Sequence, residues 1–511
     1  MAKTQPLEMK APKFMSNVPA QLPYVDVQAY DEEEDTTYIE TALLLTENRV
    51  KQWLLVPLLS ILTLFVFPIF LYWRKEMRSR WLYTRATSII ASTHMYIEGR
   101  DGNQEIVKVR DFTSQSSRLL VEAQRADPAI NGLSTFFTYR FINFEWRPQN
   151  NRFEPVRFDC QLPYDELRRK YTDSSRLGNE SLRELLRMKF GPCEIDVPKK
   201  SVTGILISEV LNPFYIFQIF SVVLWMWDHY YYYASCIMII STASVILSLY
   251  ETTKNHNEIR RLACYNCQVR IKGKHGPSNK VDSSELVPGD VIVVPENASL
   301  PCDLVLLTGT AIMNESMLTG ESLPVIKSSL PNLSSEIYTD KGAEKHTLFG
   351  GTIVVMTKPV GGDQCWAMVK NTGFLTTKGS LIRDILYPKE IKFKFYSDGF
   401  KFVGIMAILA LVAMAVTIPM QLEIHVPIKV LVDRALDLLT VTVPPALPAA
   451  MSCGIVFAIS RLKKQDIFCI SPPRINLAGQ ISTFVFDKTG TLTAEGLTIL
   501  GFHPSTKPVA N

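Results

Sequence analysis

The seven residues Asp487-Lys488-Thr489-Gly490-Thr491-Leu492-Thr493 are the strongest chemical signal in this sequence. They follow the apolar stretch Ile481 to Phe486, whose composition predicts a strand. An acidic residue at the C-terminal end of a buried parallel strand is where α/β folds place their chemistry. A carboxylate there can attack a phosphoryl group and form an aspartyl phosphate, which makes Asp487 a candidate nucleophile. Gly490 lets the backbone turn closely around such a phosphate. Lys488, the hydroxyls of Thr489 and Thr491, and the backbone amides are candidates to hold its oxygens. The plain structural alternative is a polar turn at a strand end.

Two further motifs have a physical reading. Thr319-Gly320-Glu321-Ser322 lies on a loop between expected strands. A glutamate on such a loop can position a water for hydrolysis of a phosphoenzyme, so Glu321 is the second catalytic candidate. Alone the tetrapeptide is weak, and a solvated turn would account for it. Pro444-Pro445-Ala446-Leu447-Pro448 sits within a long apolar run. Three prolines cannot occupy a continuous helix. They unwind it and release carbonyls at membrane depth, as broken helices do at transport sites. Asp437 lies about two turns earlier. An acidic residue inside a span is a functional candidate, with a cap or a pair with Arg434 as the alternative.

The elements that must position these residues are membrane helices and inserted soluble domains. A run of about 20 apolar residues crosses a bilayer. The runs are Trp53 to Trp73, Val210 to Trp227, Tyr230 to Tyr250, Phe402 to Met420 and Val426 to Ile459. Basic residues flank both later pairs: Lys199 and Lys200, Lys254, Arg260 and Arg261, then Lys389, Lys392 and Lys394, and Arg461, Lys463 and Lys464. Cations gather on the cytosolic side, so both pairs read as hairpins with short lumenal turns. The first run carries Pro57 and Pro68 and favours a re-entrant hairpin over a full span. Residues 1–40 are polar, which argues against a cleaved signal peptide.

The soluble blocks follow from what remains. Residues 84–200 mix a β-rich stretch, Thr135 to Phe144, with a helix expected over Ser181 to Phe190 and stopped by Gly191-Pro192. In 251–398, strands are expected at Gln268 to Lys272, Val291 to Val294, Asp303 to Leu307 and Thr352 to Val355. Charge is nearly balanced, 54 basic against 50 acidic residues, which argues against a nucleic-acid binder driven by bulk charge. Nine Cys are too few for a disulfide scaffold. Cys264 and Cys267 form a lone CxxC without a second ligand pair, and read as reduced thiols. The sequons at Asn179, Asn297, Asn314 and Asn332 fall on cytosolic segments and should be unglycosylated.

The three motifs, in this order and on this topology, resemble a P-type ATPase. The Asp487 heptapeptide resembles the phosphorylation motif, and the Thr319 tetrapeptide the dephosphorylation loop of the actuator domain. The proline cluster, Glu209-Val210-Leu211-Asn212-Pro213-Phe214 and Arg434-Ala435-Leu436-Asp437 resemble the class-five B subgroup. The resemblance implies a multi-domain membrane protein. It would have α-helical transmembrane hairpins, an all-β actuator domain and the truncated start of an α/β, HAD-like phosphorylation domain. The implied division is 1–83, an N-terminus with the apolar hairpin 53–73; 84–200, an N-terminal domain; and 201–250, the first transmembrane hairpin. The actuator domain follows at 251–398, the second hairpin at 399–460 with its break at 444–448, and the phosphorylation domain from 461 to 511.

The implied activity is export of polyamines, or of another cation, from late endosomes or lysosomes to the cytosol. ATP is the expected phosphoryl donor, with Mg2+ at Asp487 and Thr489. Asp437 and Pro444, Pro445, Ala446, Leu447 and Pro448 form the expected transport site. Tyr250 and Phe214 are candidates for cation–π contacts. The resemblance also implies acidic phospholipids as partners of the N-terminal hairpin, through Arg74, Lys75, Arg78 and Arg80. The nucleotide domain is expected to be absent, so this truncated chain is expected to be inactive alone; a non-catalytic short form acting as a membrane-bound partner and part of an inorganic-cation pump are the rival readings. A soluble phosphatase is disfavoured by the spans.

Overall fold

The computed structural model describes residues 26–27, 39–63, 66–89, 91–99, 103–111, 135–173, 180–199, 201–273, 276–321, 323–340, 342–361, 364–387, 394–443, 447–467, 469, 474–494 and 500–501. The chain divides into two compact units. One comprises Met1–Asp196, Ala263–Glu390 and Phe486–Asn511, the other Val197–Leu262 and Ile391–Val485.

The first unit holds three sheets. The N-terminal one is built from β1 (Asp26–Val27), β2 (Ile39–Glu47), β3 (Tyr83–Arg85), β4 (His94–Gly99), β5 (Gln104–Asp111), β6 (Thr135–Tyr139), β7 (Ile142–Arg147) and β8 (Arg152–Pro155). Their order is β1-β8-β7-β6-β5-β4-β2-β3. Alternation along β2 puts Ala42 and Leu44 into a core with Met95, Ile97, Val109, Phe137, Phe144 and Phe153. Leu43 and Leu45 pack on the opposite face with Tyr96. This sheet joins strands from both sides of the first apolar run, whereas the sequence reading set a boundary between 83 and 84. Antiparallel pairing of β2 with β4 is a non-local contact that no local pattern announces.

The expected helix is found at Glu180–Phe190, and a second lies at Tyr164–Asp173. Leu182, Leu185 and Leu186 of the former pack with Phe136 and Val287. Tyr164, Leu167 and Tyr171 of the latter pack with Val291, Val305, Leu330 and Tyr338. Both helices therefore share cores with the block beyond residue 263.

That block contains β9 (Gln268–Gly273), β10 (Gly276–Asp282), β11 (Val291–Val293), β12 (Ala298–Ser299), β13 (Asp303–Leu306), β14 (Thr310–Asn314), β15 (Val325–Ser328), β16 (Thr347–Leu348), β17 (Ile353–Lys358) and β18 (Trp366–Asn371). They form a six-stranded sheet, β10-β9-β11-β18-β13-β16, and a four-stranded one, β12-β17-β14-β15. Their inward side chains, among them Ile271, Ile292, Leu304, Leu306, Met313, Val354 and Val369, make one core. The expectation of an all-β domain is corrected by the helices Ser316–Thr319 and Thr377–Leu386. Thr376 starts the second of these, its Oγ1 accepting from Gly379 N at 3.0 Å.

The first apolar run is a bent helix pair. Lys51–Leu62 and Val66–Trp73 meet at 117°. Pro57 and Pro68 each sit near the start of an α-helical segment, where a missing N–H costs least, so the bend falls between them.

In the second unit, Tyr231–Ala263 and Lys401–Glu423 are long and apolar enough to cross a membrane. Val202–Ser208 and Pro213–Trp227 form another bent pair, at 76°. The bend is written in Asn212-Pro213. Asn212 Oδ1 accepts from Phe214 N at 3.2 Å, and Pro213 opens the next helix. The last expected run is two helices, Ile428–Thr442 and Leu447–Lys463. Pro444, Pro445 and Ala446 lie outside the described residues.

Residues 481–487 form no strand, contrary to expectation. A strand needs a hydrogen-bonding neighbour, and none pairs with this stretch among the described residues. Val485 is 94% exposed.

Candidate functional site

The heptapeptide from Asp487 closes on itself. Leu492 N and Thr493 N donate to Lys488 O at 3.0 and 2.9 Å, and Gly490 N donates to Thr493 O at 3.0 Å. Thr493 Oγ1 also donates to Lys488 O, at 3.1 Å. The turn requires φ +76° at Gly490, in the left-handed region that glycine enters freely. Asp487 is exposed at its edge, and its Oδ1 accepts from Lys488 N at 2.7 Å. An exposed carboxylate with one backbone donor is accessible to a phosphoryl group.

The loop carrying Glu321 is held from beneath. Ser316–Thr319 makes a single helical turn, which Gly320 ends at φ +70°. Gly320 N donates to Ser316 O at 3.0 Å, the bond of a left-handed C-terminal cap. Thr319 Oγ1 donates to Glu315 O and accepts from Glu321 N, both at 3.1 Å. Thr319 thus links the helical turn to the glutamate that follows. Below it, buried Glu315 and buried Lys327 form an ion pair at 2.8 Å. Lys327 also donates to Glu344 O at 3.0 Å, and its ammonium lies 4.9 Å from the Phe349 ring centre. Ser322 lies outside the described residues.

The two motifs meet. Lys488 Nζ donates to Glu321 Oε1 at 3.2 Å. A side chain added at Gly320 would stand 3.6 Å from Asp487 Oδ2. Sequence reasoning singled out Asp487 and Glu321 as candidates but missed both the Lys488 contact and the Glu315–Lys327 pair.

Asp303 is a buried hydrogen-bond hub of the same domain. It accepts from Gly350 N at 2.7 Å, Thr377 N at 3.1 Å and Asn371 Nδ2 at 3.2 Å. Burial pushes its carboxyl up, against the pull of these donors.

The remaining expected residues are dispersed. Asp437 is half-buried on Ile428–Thr442 and makes no ion pair with Arg434 among the described residues. Leu447 and Pro448 begin the following helix. Arg74 precedes, and Lys75, Arg78 and Arg80 lie on, the helix Lys75–Leu82 that follows the bent apolar pair; all four are exposed. No cluster of three His, Cys, Asp or Glu side chains placed to hold a metal occurs among the described residues. Mg2+ typically takes only one or two carboxylates and fills its shell with water and phosphate, so Asp487 with Thr489 suits it better than a protein cage would.

Comparison with known proteins places part of the chain in a known domain family. Residues 266–386 match the P-type ATPase actuator domain. The chain is 42% identical over 379 residues to polyamine-transporting ATPase 13A3 of Homo sapiens, covering 72% of this chain and 31% of that one. It is 46% identical over 316 residues to polyamine-transporting ATPase 13A2 of Homo sapiens, covering 62% and 27%. It is 39% identical over 400 residues to the vacuolar cation-transporting ATPase YPK9 of Saccharomyces cerevisiae, covering 75% and 26%. The chain thus carries a P-type ATPase actuator domain and resembles the class-five B pumps, and it spans less than a third of these relatives' length.

Proposed function

We propose that this chain, with its P-type ATPase actuator domain, is part of a pump that moves polyamine cations from the lumen of late endosomes or lysosomes to the cytosol. The observation that carries the reading is the meeting of Glu321 and Lys488 beside Asp487. Asp487 is the nucleophile that takes the γ-phosphoryl group of ATP. Lys488, Thr489, Gly490 and Thr491 surround the phosphoryl oxygens. When bound, Mg2+ at Asp487 and Thr489 offsets their negative charge. Glu321 orients the water that hydrolyses the aspartyl phosphate, and the fixed turn beneath it limits where that carboxylate can reach.

The transport site is assigned to Asp437 and the proline-rich segment from Pro444 to Pro448. A carboxylate at membrane depth is costly unless it meets a cation. The names of the relatives support polyamines in two cases and a cation more generally in the third. The bent apolar pair rests on the cytosolic leaflet, with Arg74, Lys75, Arg78 and Arg80 against acidic phospholipids.

The test is acid-stable labelling of membranes with radiolabelled inorganic phosphate and Mg2+, which phosphorylates such a site in reverse. Label on the wild-type chain that disappears in Asp487→Asn supports the assignment. Label retained in Asp487→Asn removes it.

A further inference from the structure

The helix Pro213–Trp227 buries an unusual set of side chains. Gln218, Ser221 and Leu224 are covered, although an apolar helix gains nothing by burying the first two. Gln218, Ser221 and Trp225 lie on one stripe, three and then four residues apart. Trp225 Nε1 donates to Thr440 Oγ1 at 3.1 Å, which ties the stripe to the helix Ile428–Thr442. Thr440 is fully buried, and its hydroxyl donates on to the Asp437 carbonyl at 3.0 Å. Ser221 donates to Phe217 O at 3.0 Å and keeps its lone pairs for another donor.

Gln218 is the anomaly. It is 3% exposed, and among the described residues neither its Oε1 nor its Nε2 has a hydrogen-bond partner. A buried amide without partners is costly, and such groups in native proteins generally answer to a bound water, ion or ligand.

We propose that Gln218 is a binding station for an elongated linear alkylamine cation, its Oε1 accepting from one ammonium while a second ammonium lies toward Asp437. The proposal rests on the polyamine reading and specifies how length is recognised. Gln218 and Trp225 are seven residues apart, about 10 Å along the helix. A linear amine with several nitrogens on a methylene chain reaches both ends, and a single metal ion reaches one. A neutral amide suits a transport path, because it holds a cation without adding a charge that would hinder its release.

The test is binding of radiolabelled spermine to the full chain in lipid nanodiscs, with propylamine as a short competitor. Gln218→Leu and the more closely isosteric Gln218→Met should each weaken spermine about tenfold, the loss of one hydrogen bond to a charged group. Neither should alter competition by propylamine, which reaches only the Asp437 end. Asp437→Asn should weaken both amines. If both Gln218 variants bind spermine as the wild type does while Asp437→Asn weakens it, the station is overturned and the pump reading stands. If the wild-type chain binds no amine, the polyamine reading falls and the station with it.

Discussion

Lys488 Nζ lies 3.2 Å from Glu321 Oε1, joining two loops that are 167 residues apart in sequence. Both side chains are more than half exposed, so the pair itself contributes little to stability. Its consequence is positional: it brings the Glu321 carboxylate to the residue that follows Asp487. Glu321→Gln should therefore leave the thermal midpoint of the chain nearly unchanged. It should slow the loss of acid-stable phosphate from Asp487 by roughly two to four orders of magnitude, the usual worth of a general base. Equal decay of label in variant and wild type would remove Glu321 from the reaction.

Gly320 tests the same geometry from the backbone. Its φ of +70° costs any other residue about 1–2 kcal/mol. An added methyl group would also stand 3.6 Å from Asp487 Oδ2, where an incoming phosphoryl group needs room. Gly320→Ala should lower the unfolding midpoint modestly and slow phosphorylation as well as dephosphorylation. A variant with normal phosphorylation would show that the two loops separate before the phosphoryl group arrives.

The buried Glu315–Lys327 pair gives a larger stability effect. Lys327→Met leaves the Glu315 carboxylate buried and uncompensated, at a cost of about 3–5 kcal/mol. Adding Glu315→Gln should recover much of that loss, because no unpaired charge then remains. Denaturant unfolding of the two variants checks this; a double variant less stable than Lys327→Met would refute it.

These residues show what the sequence exposes and what it hides. The strands at Gln268, Val291 and Asp303, and the helix ending at Phe190, were legible because alternation and turn residues are local signals. Asp487 and Glu321 were legible as motifs. Their meeting was not, because a contact across 167 residues depends on tertiary packing. The strand expected at 481–486 failed for a related reason. Apolar composition permits a strand, but only a neighbour makes one. Gln218 was invisible, since a glutamine within an apolar run carries no mark of being covered and unpaired.

The N-terminal sheet has an acid-sensitive point at Glu154. Burial alone would raise its carboxyl. Hydrogen bonds from Asn150 and Arg152, with the charges of Arg152 and Arg147, outweigh that and hold it below the usual 4.5. Arg152 Nε lies 2.9 Å away and Arg147 Nε 3.9 Å. A carboxylate with a lowered folded value stabilises the fold above 4.5, and that gain disappears as pH falls through the folded value. The wild type should thus exceed Glu154→Gln in stability at neutral pH, and the gap should close in acid. A gap that persists to about pH 2 would contradict the linkage.

The exposed cations after the bent apolar pair lead to a salt-dependent prediction. Each basic side chain near an anionic surface gains about 1 kcal/mol, and the gain decays within a Debye length of roughly 8 Å at physiological salt. Arg74, Lys75, Arg78 and Arg80 lie within seven residues of Trp73 and are all exposed, with Lys75 and Arg78 one turn apart on one side of the helix. Replacing all four by Gln removes the electrostatic part of lipid contact and keeps the apolar part. Nanodiscs assembled around the full chain from a neutral lipid mixture with a minor share of phosphatidic acid should retain more of that lipid than empty ones, and the enrichment should weaken as salt rises. The quadruple variant should lose most of that enrichment and most of its salt dependence, while its insertion into the nanodisc is unchanged. Equal enrichment by wild type and variant at low salt would place the lipid contact elsewhere on the chain.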